Sequence, residues 1–299
     1  VDGTNLPIDP RGVLLISPDS ASLNSLKMTP VAVLSVDDHV RYREAYRRVF
    51  NIILGGILAY FEVSAEALHA KVAEANQAFA ERRFQPQTHP EEAVRLVSEI
   101  RAAVLSLASA VYFHQEQTYQ LASDLHANDE TVLASIKKVF KDVFDTNRSY
   151  RLLYSLRNVM THYTMEAVTV SGRALQVADD RIEARFNLRI DRGVAARSKK
   201  INKVVKAELE QMQDDPDVLE LLDELHSPLY RADQRAAALL YPDMRQTCET
   251  IVEFDNFFKG APGIRALVSD WNPGVRGQRA SWTAWAPQVF AFAYRQLTP

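Results

Sequence analysis

Residues 149–163 read SYRLLYSLRNVMTHY, and the residue types in this stretch are suited to chemistry. His162 is of the one side-chain type whose ordinary pKa suits proton transfer near neutral pH. Arg157 offers a permanently charged, planar fork of donors, the group suited to a phosphate on which negative charge builds. Asn158 lies one helical turn before His162, where its amide either orients the imidazole or binds the same phosphate. Leu152, Leu156, Val159 and Tyr163 step by four, three and four, so the spacing predicts a helix that buries this face. Arg151, Ser155, Asn158 and His162 repeat the stepping on another face, a polar stripe that a core cannot bury without partners. Five residues separate Arg157 from His162, about 140° around an ideal helix. The two converge on one small group only through the long reach of Arg, a distorted helix end, or a second copy of the motif from a partner chain.

A bare Arg-x4-His arises by chance about 0.6 times in a chain of this length and content, so specificity lies in the longer string. Tyr154, Leu156-Arg157-Asn158 and His162-Tyr163, followed by a short sheet and a basic-then-acidic helical region, resemble the HEPN superfamily of helical ribonuclease domains. The match is to the bacterial branch with a Leu-Arg-Asn-x-x-x-His core. It is tight over residues 145–170 and looser to about residue 225. The resemblance implies a HEPN-like helical bundle with Arg157 and His162 as catalytic residues and Asn158 as the polar residue that commonly follows the Arg. It also implies a metal-independent endoribonuclease that needs no cofactor and acts as a homodimer with two motifs across one interface. RNA is then the substrate, by 2′-hydroxyl attack. The setting is that of a toxin or anti-phage defence protein, with an antitoxin or defence partner protein. One departure bears on regulation: toxins of this kind that are paired with nucleotidyltransferases carry a tyrosine two residues after the His. Here Tyr163 follows directly and Thr164 takes the second place.

The elements that must position these residues are readable from composition and period. Ten glycines in 299 residues is about half the usual usage of roughly 7%, and none lies between Gly56 and Gly172. That stretch cannot hold a glycine-rich phosphate loop or a dinucleotide fingerprint, and it can hold long helices. Gly12–Ile16 and Val31–Val36 read as short strands, after which a helical pattern runs from Asp37 to Phe84. Gly55 and Gly56 inside it suggest close approach of a neighbouring helix. Glu91–Leu125 reads as one long helix and Val132–Val143 as a second, capped by Asp129 or Thr131, with the motif helix after Asn147. From Glu166 the period changes to two, with a turn expected at Ser171-Gly172 and alternation in Ile182, Ala184, Phe186, Leu188 and Ile190. The expectation is a mainly α fold divided into a 1–36 N-terminal extension, a 37–165 helical core, a 166–192 antiparallel sheet, 193–260 C-terminal helices and an irregular 261–299 Trp-rich tail.

Charge is polarised although the net value is only −3. Residues 181–206 carry nine Arg or Lys against two acids, and residues 208–224 carry eight carboxylates and no base. The basic block is either a phosphate-binding surface or a solvated face balanced by its acidic neighbour. On the first reading Arg151, Arg189, Arg192, Lys199, Lys200 and Lys203 bind RNA. The single Cys248 excludes an internal disulfide and a multi-cysteine zinc site, and it fits a reducing, cytoplasmic setting as a buried thiol. No membrane partner is expected: residues 1–8 lack a signal-peptide pattern, and Val49–Phe61 is too short to span a bilayer. Asp37-Asp38-His39 reads as a helix N-cap rather than a set of metal ligands. His114-x-Glu116 lacks the cysteines of a zinc deaminase. Trp271, Trp282 and Trp285 with Arg276 and Arg279 fit packing or partner binding better than base stacking. The alternative to an enzyme is a non-catalytic helical module that binds RNA or protein through the same surface.

Overall fold

The structure is a computed structural model that describes residues 11–18, 26–53, 56–83, 88–127, 129–178, 181–269 and 281–298. The chain is mainly helical and divides into two compact units, residues 57–240 and a discontinuous unit of residues 1–56 with 241–299.

In the 57–240 unit, α2 (Leu58–Ala80), α3 (Pro90–Leu125), α4 (Glu130–Thr146), α5 (Arg148–His162) and α8 (Val218–Leu240) form a bundle. Pro90 stands at the first position of α3, where its missing N–H costs nothing. Asp129 starts α4 by accepting the Thr131 N–H at 3.0 Å. By length and composition α3 is apolar enough to cross a membrane. In this unit α2, α4, α5 and α8 pack on it, and Ile100, Val104, Leu107 and Val111 are fully buried. A 3-10 turn at Met165–Ala167 leads into a two-stranded antiparallel hairpin, β3 (Val168–Ala178) and β4 (Arg181–Ile190). The short helices α6 (Arg192–Arg197) and α7 (Lys203–Gln211) follow.

The turn expected at Ser171-Gly172 is absent. The strand β3 runs straight through these residues, with Ser171 opposite Asn187 and Gly172 opposite Phe186. A Cβ on Gly172 would stand 3.0 Å from the Phe186 ring, so this glycine makes room for a cross-strand aromatic rather than for a bend. The expected alternation holds for Phe186, Leu188 and Ile190, which are buried, while Arg185, Asn187 and Arg189 face away from them.

In the other unit, β1 (Arg11–Pro18) and β2 (Leu26–Leu34) pair antiparallel, as the apolar runs suggested. The Trp-rich tail is more regular than its composition implied. It supplies β5 (Ile264–Ser269), β6 (Ser281–Ala284) and the helix α10 (Pro287–Leu297), and the sheet order is β2-β1-β5-β6. Helices α1 (Val36–Ile53) and α9 (Met244–Asn256) complete this unit. Its core joins Val13, Tyr42, Val49, Ile251, Phe254, Trp285 and Val289. The N-terminal extension and the tail are therefore parts of one unit. A Cβ on Gly56 would collide with the Asn51 carbonyl, 2.0 Å away, so this glycine serves the chain just past the end of α1 and not an approaching helix.

Candidate functional site

The motif helix α5 begins at Asn147. The Asn147 side chain accepts the Tyr150 N–H at 2.7 Å, and its own N–H closes α4 on the Val143 carbonyl at 2.8 Å. One residue thus ends one helix and opens the next. Leu152, Leu156 and Val159 are buried as their spacing requires, joined by Tyr150, Leu153 and Met160 because α3, α4, α7 and α8 all pack on α5. Tyr163 departs from the expected buried face and is 50% exposed. The helix stops at His162, and Tyr163 leaves helical geometry (φ −128°).

The polar stripe divides along its length. Arg151, at the inner end, forms a two-pronged ion pair with Glu208 of α7 at 2.9 and 3.0 Å and donates to the Phe144 and Asp145 carbonyls. Ser155 is buried and Asn158 half-buried, while His162 is exposed and makes no hydrogen bond or ion pair with any described residue. Arg157 and Asn158 are brought together: the guanidinium donates to Asn158 Oδ1 at 3.0 Å and lies over the Tyr112 ring, 4.6 Å from its centroid. The Tyr112 ring is 5.2 Å from Tyr154, which stacks on Tyr150 at 5.8 Å. Burial pushes the Tyr154 hydroxyl up to about 12 and that of Tyr150 well above its ordinary range. The Arg157 guanidinium is therefore held by a ring on one side and by an amide oxygen at one of its nitrogens. No side-chain hydrogen bond or ion pair joins Arg157 or Asn158 to His162 among the described residues.

The residues expected to bind RNA fall into two groups. Arg151 and Arg192 are engaged inside the fold; Arg192 bonds the Asp215 carboxylate at 3.0 Å, the Gln213 carbonyl at 2.9 Å and the Met212 carbonyl. Lys199, Lys200 and Lys203 are exposed, and none of the three side chains forms an ion pair with a described residue. Arg189 is exposed, with one N–H on the Asp215 carbonyl at 3.3 Å. It lines a cavity of about 1150 Å³ between the hairpin and the end of α2, with Arg173, Arg185, Ser171, Asn187 and Asn76. Arg173 and Arg185 stand directly opposite each other across the strands. Reading a turn at Ser171-Gly172 hides this pair, because it breaks the register that sets position 173 against 185. Alternation carried unbroken through β3 reveals it. Tyr112 carries no local signal, since its role depends on α5 packing against α3.

The other candidates are absorbed by structure. Ser35 is the cap of α1: its hydroxyl accepts the Asp38 N–H at 3.0 Å and donates to the Asp38 carboxylate at 2.8 Å. The cap thus stands two residues before the first of the expected Asp37-Asp38-His39. His114 is fully buried, with Nε2 2.9 Å from Asp233 Oδ1. Cys248 is buried, and burial pushes its thiol up to about 11. Trp285 stacks on Phe254 at 3.8 Å in the core, Trp282 is partly exposed, and Trp271, Arg276 and Arg279 lie outside the described residues. Among the described residues no group of three or more His, Cys, Asp or Glu is placed to hold a metal ion. Comparison with protein-family models, with curated proteins and with solved structures finds no match.

Proposed function

We propose that the protein is a HEPN-like, metal-independent endoribonuclease of the toxin or anti-phage kind, with its site at the open end of α5. The observation that carries this reading is the Arg157–Asn158 pair held on Tyr112 one turn before an exposed, unpartnered His162. His162 takes the proton of a ribose 2′-hydroxyl, whose oxygen attacks the adjacent phosphorus. The bond to the 5′ oxygen breaks, that oxygen takes a proton from water or from a second copy's motif, and a 2′,3′-cyclic phosphate remains. Arg157 stabilises the charge that builds on the phosphate oxygens. Asn158, whose Oδ1 is spent on Arg157, retains its amide N–H groups for the phosphate. Because one chain does not join Arg157 to His162, a homodimer that apposes two motifs is part of the proposal.

Purified protein is expected to cut single-stranded RNA in EDTA and leave cyclic phosphate ends. His162→Ala and Arg157→Ala are each expected to slow cleavage about 100-fold or more while retaining the far-UV circular dichroism of the parent. Equal cleavage by the parent and His162→Ala overturns the assignment. The separation of Arg157 from His162 in a single chain favours one other reading, a module that binds RNA without cutting it. Binding with no His162-dependent product supports that reading instead.

A further inference from the structure

The outward face of the hairpin carries a feature that the motif helix does not explain. Along it the cross-strand rows run Thr169–Arg189, Ser171–Asn187, Arg173–Arg185 and Leu175–Glu183. Like charges directly opposite each other destabilise a strand pair unless something of opposite charge is bound. Arg173 and Arg185 are both exposed, and neither makes a hydrogen bond or ion pair with a described residue. The carboxylates of the cavity lie at its ends, with Glu183 one row beyond the arginine pair and Asp217 and Glu220 at the start of α8. Asp217 is already occupied there, accepting the Leu219 and Glu220 N–H groups. Between Arg189 and the arginine pair lie the neutral side chains Ser171 and Asn187. Asn76 on α2 faces the same space, its Oδ1 taken by the Phe186 N–H at 2.7 Å, which leaves its amide N–H groups as donors.

We propose that this face is a groove for the sugar–phosphate backbone of single-stranded RNA, with Arg173 and Arg185 clamping one phosphate and Arg189 meeting another. Arg185 and Arg189 are four residues apart on β4, about 13 Å, more than one phosphate spans, so the ligand is a repeating polyanion. The lining is mostly polar, with Ala80, Leu175 and Ala184 among it, and includes no aromatic ring, which suits a sequence-independent backbone contact and not base stacking. RNA is favoured over an acidic protein because the proposal rests on the endoribonuclease reading, and it adds to that reading a binding strip remote in sequence from Arg157 and His162.

The test measures binding of a labelled oligouridylate to full-length protein in a His162→Ala background, where turnover is removed, over a range of salt. Replacing Arg173 and Arg185 together by Ala is expected to weaken binding tenfold or more and to reduce the slope of log K against log salt by about 0.7, the share of the one phosphate they clamp. Replacing both by Lys is expected to retain affinity within about threefold. Unchanged affinity and slope in the double Ala variant overturn the groove, as does absence of RNA binding by the parent. Polyglutamate that competes as well as RNA at equal charge also overturns it. The endoribonuclease reading fails separately: if cleavage does not depend on His162 but the double Ala variant loses binding, the groove stands without the enzyme.

Discussion

At Arg151 two roles compete for one side chain: a donor for RNA on the polar stripe, or the inner half of an ion pair. Its side chain is only 14% exposed and Glu208 is 21% exposed, so both charges are largely withdrawn from water and depend on each other. Removing one partner leaves the other charge poorly solvated and unpaired. Arg151→Ala is therefore expected to cost about 2–3 kcal/mol, read as a fall in the denaturant midpoint. RNA affinity is expected to stay within about twofold of the parent. A loss of RNA affinity with an unchanged midpoint would return Arg151 to the binding surface. Replacing the pair together by Met and Leu is expected to recover most of the stability, because apolar groups of similar volume need no partner. The stripe itself was readable from the stepping of Arg151, Ser155, Asn158 and His162. Which of its members reach solvent was not, because that depends on α7 supplying Glu208 from 57 residues away.

At the scale of elements, periodicity located α3, α4, α5 and the strand β4, and of the two caps offered for α4, Asp129 and Thr131, the chain uses Asp129. These features are encoded within a few residues of where they occur, through 3.6- and 2-residue steps and a side chain that reaches its own helix start. The strand β3 departs from the expected turn for a physical reason. Ser-Gly is a common turn signal, and nothing nearby shows that Gly172 instead lies beneath an aromatic ring of the opposite strand. The distinction is measurable. If Gly172 marked a turn, a β-branched residue there would mainly disturb backbone geometry. Since it faces Phe186 in an extended strand, Gly172→Val is expected to displace that ring and destabilise the 57–240 unit by about 1–3 kcal/mol. The companion change Phe186→Leu is expected to recover part of this loss in a double-mutant cycle. Strict additivity would show that the two positions do not touch. The same register brings Arg173 opposite Arg185, so a turn at Ser171-Gly172 conceals the proposed strip as well.

At the scale of the whole molecule, the contacts least readable from sequence are those joining its two ends into one unit. Arg41 on α1 bonds both oxygens of Glu253 on α9 at 2.6 and 2.8 Å, and Tyr42 donates its hydroxyl to the same carboxylate at 2.7 Å. These partners are 212 and 211 residues apart, and no local pattern links them. The Arg41 hydrogen bonds, with help from Tyr42, lower the Glu253 carboxyl to about 2, against a smaller opposing effect of burial. A carboxyl whose pKa is lower folded than unfolded adds stability above its unfolded value, near 4.3, and loses it as pH falls through the folded one. The link between α1 and α9 is thus fully present at neutral pH and disappears between about pH 4.5 and pH 2. Glu253 is half exposed, so solvent screens the pair and its contribution is modest. Glu253→Gln is expected to lower the midpoint of unfolding at pH 7 and to leave it nearly unchanged at pH 2. The gap between parent and variant is expected to close across the acid limb of a pH series followed by tryptophan fluorescence. A gap of constant size from pH 7 to pH 2 would show that Glu253 acts through packing and not through its charge.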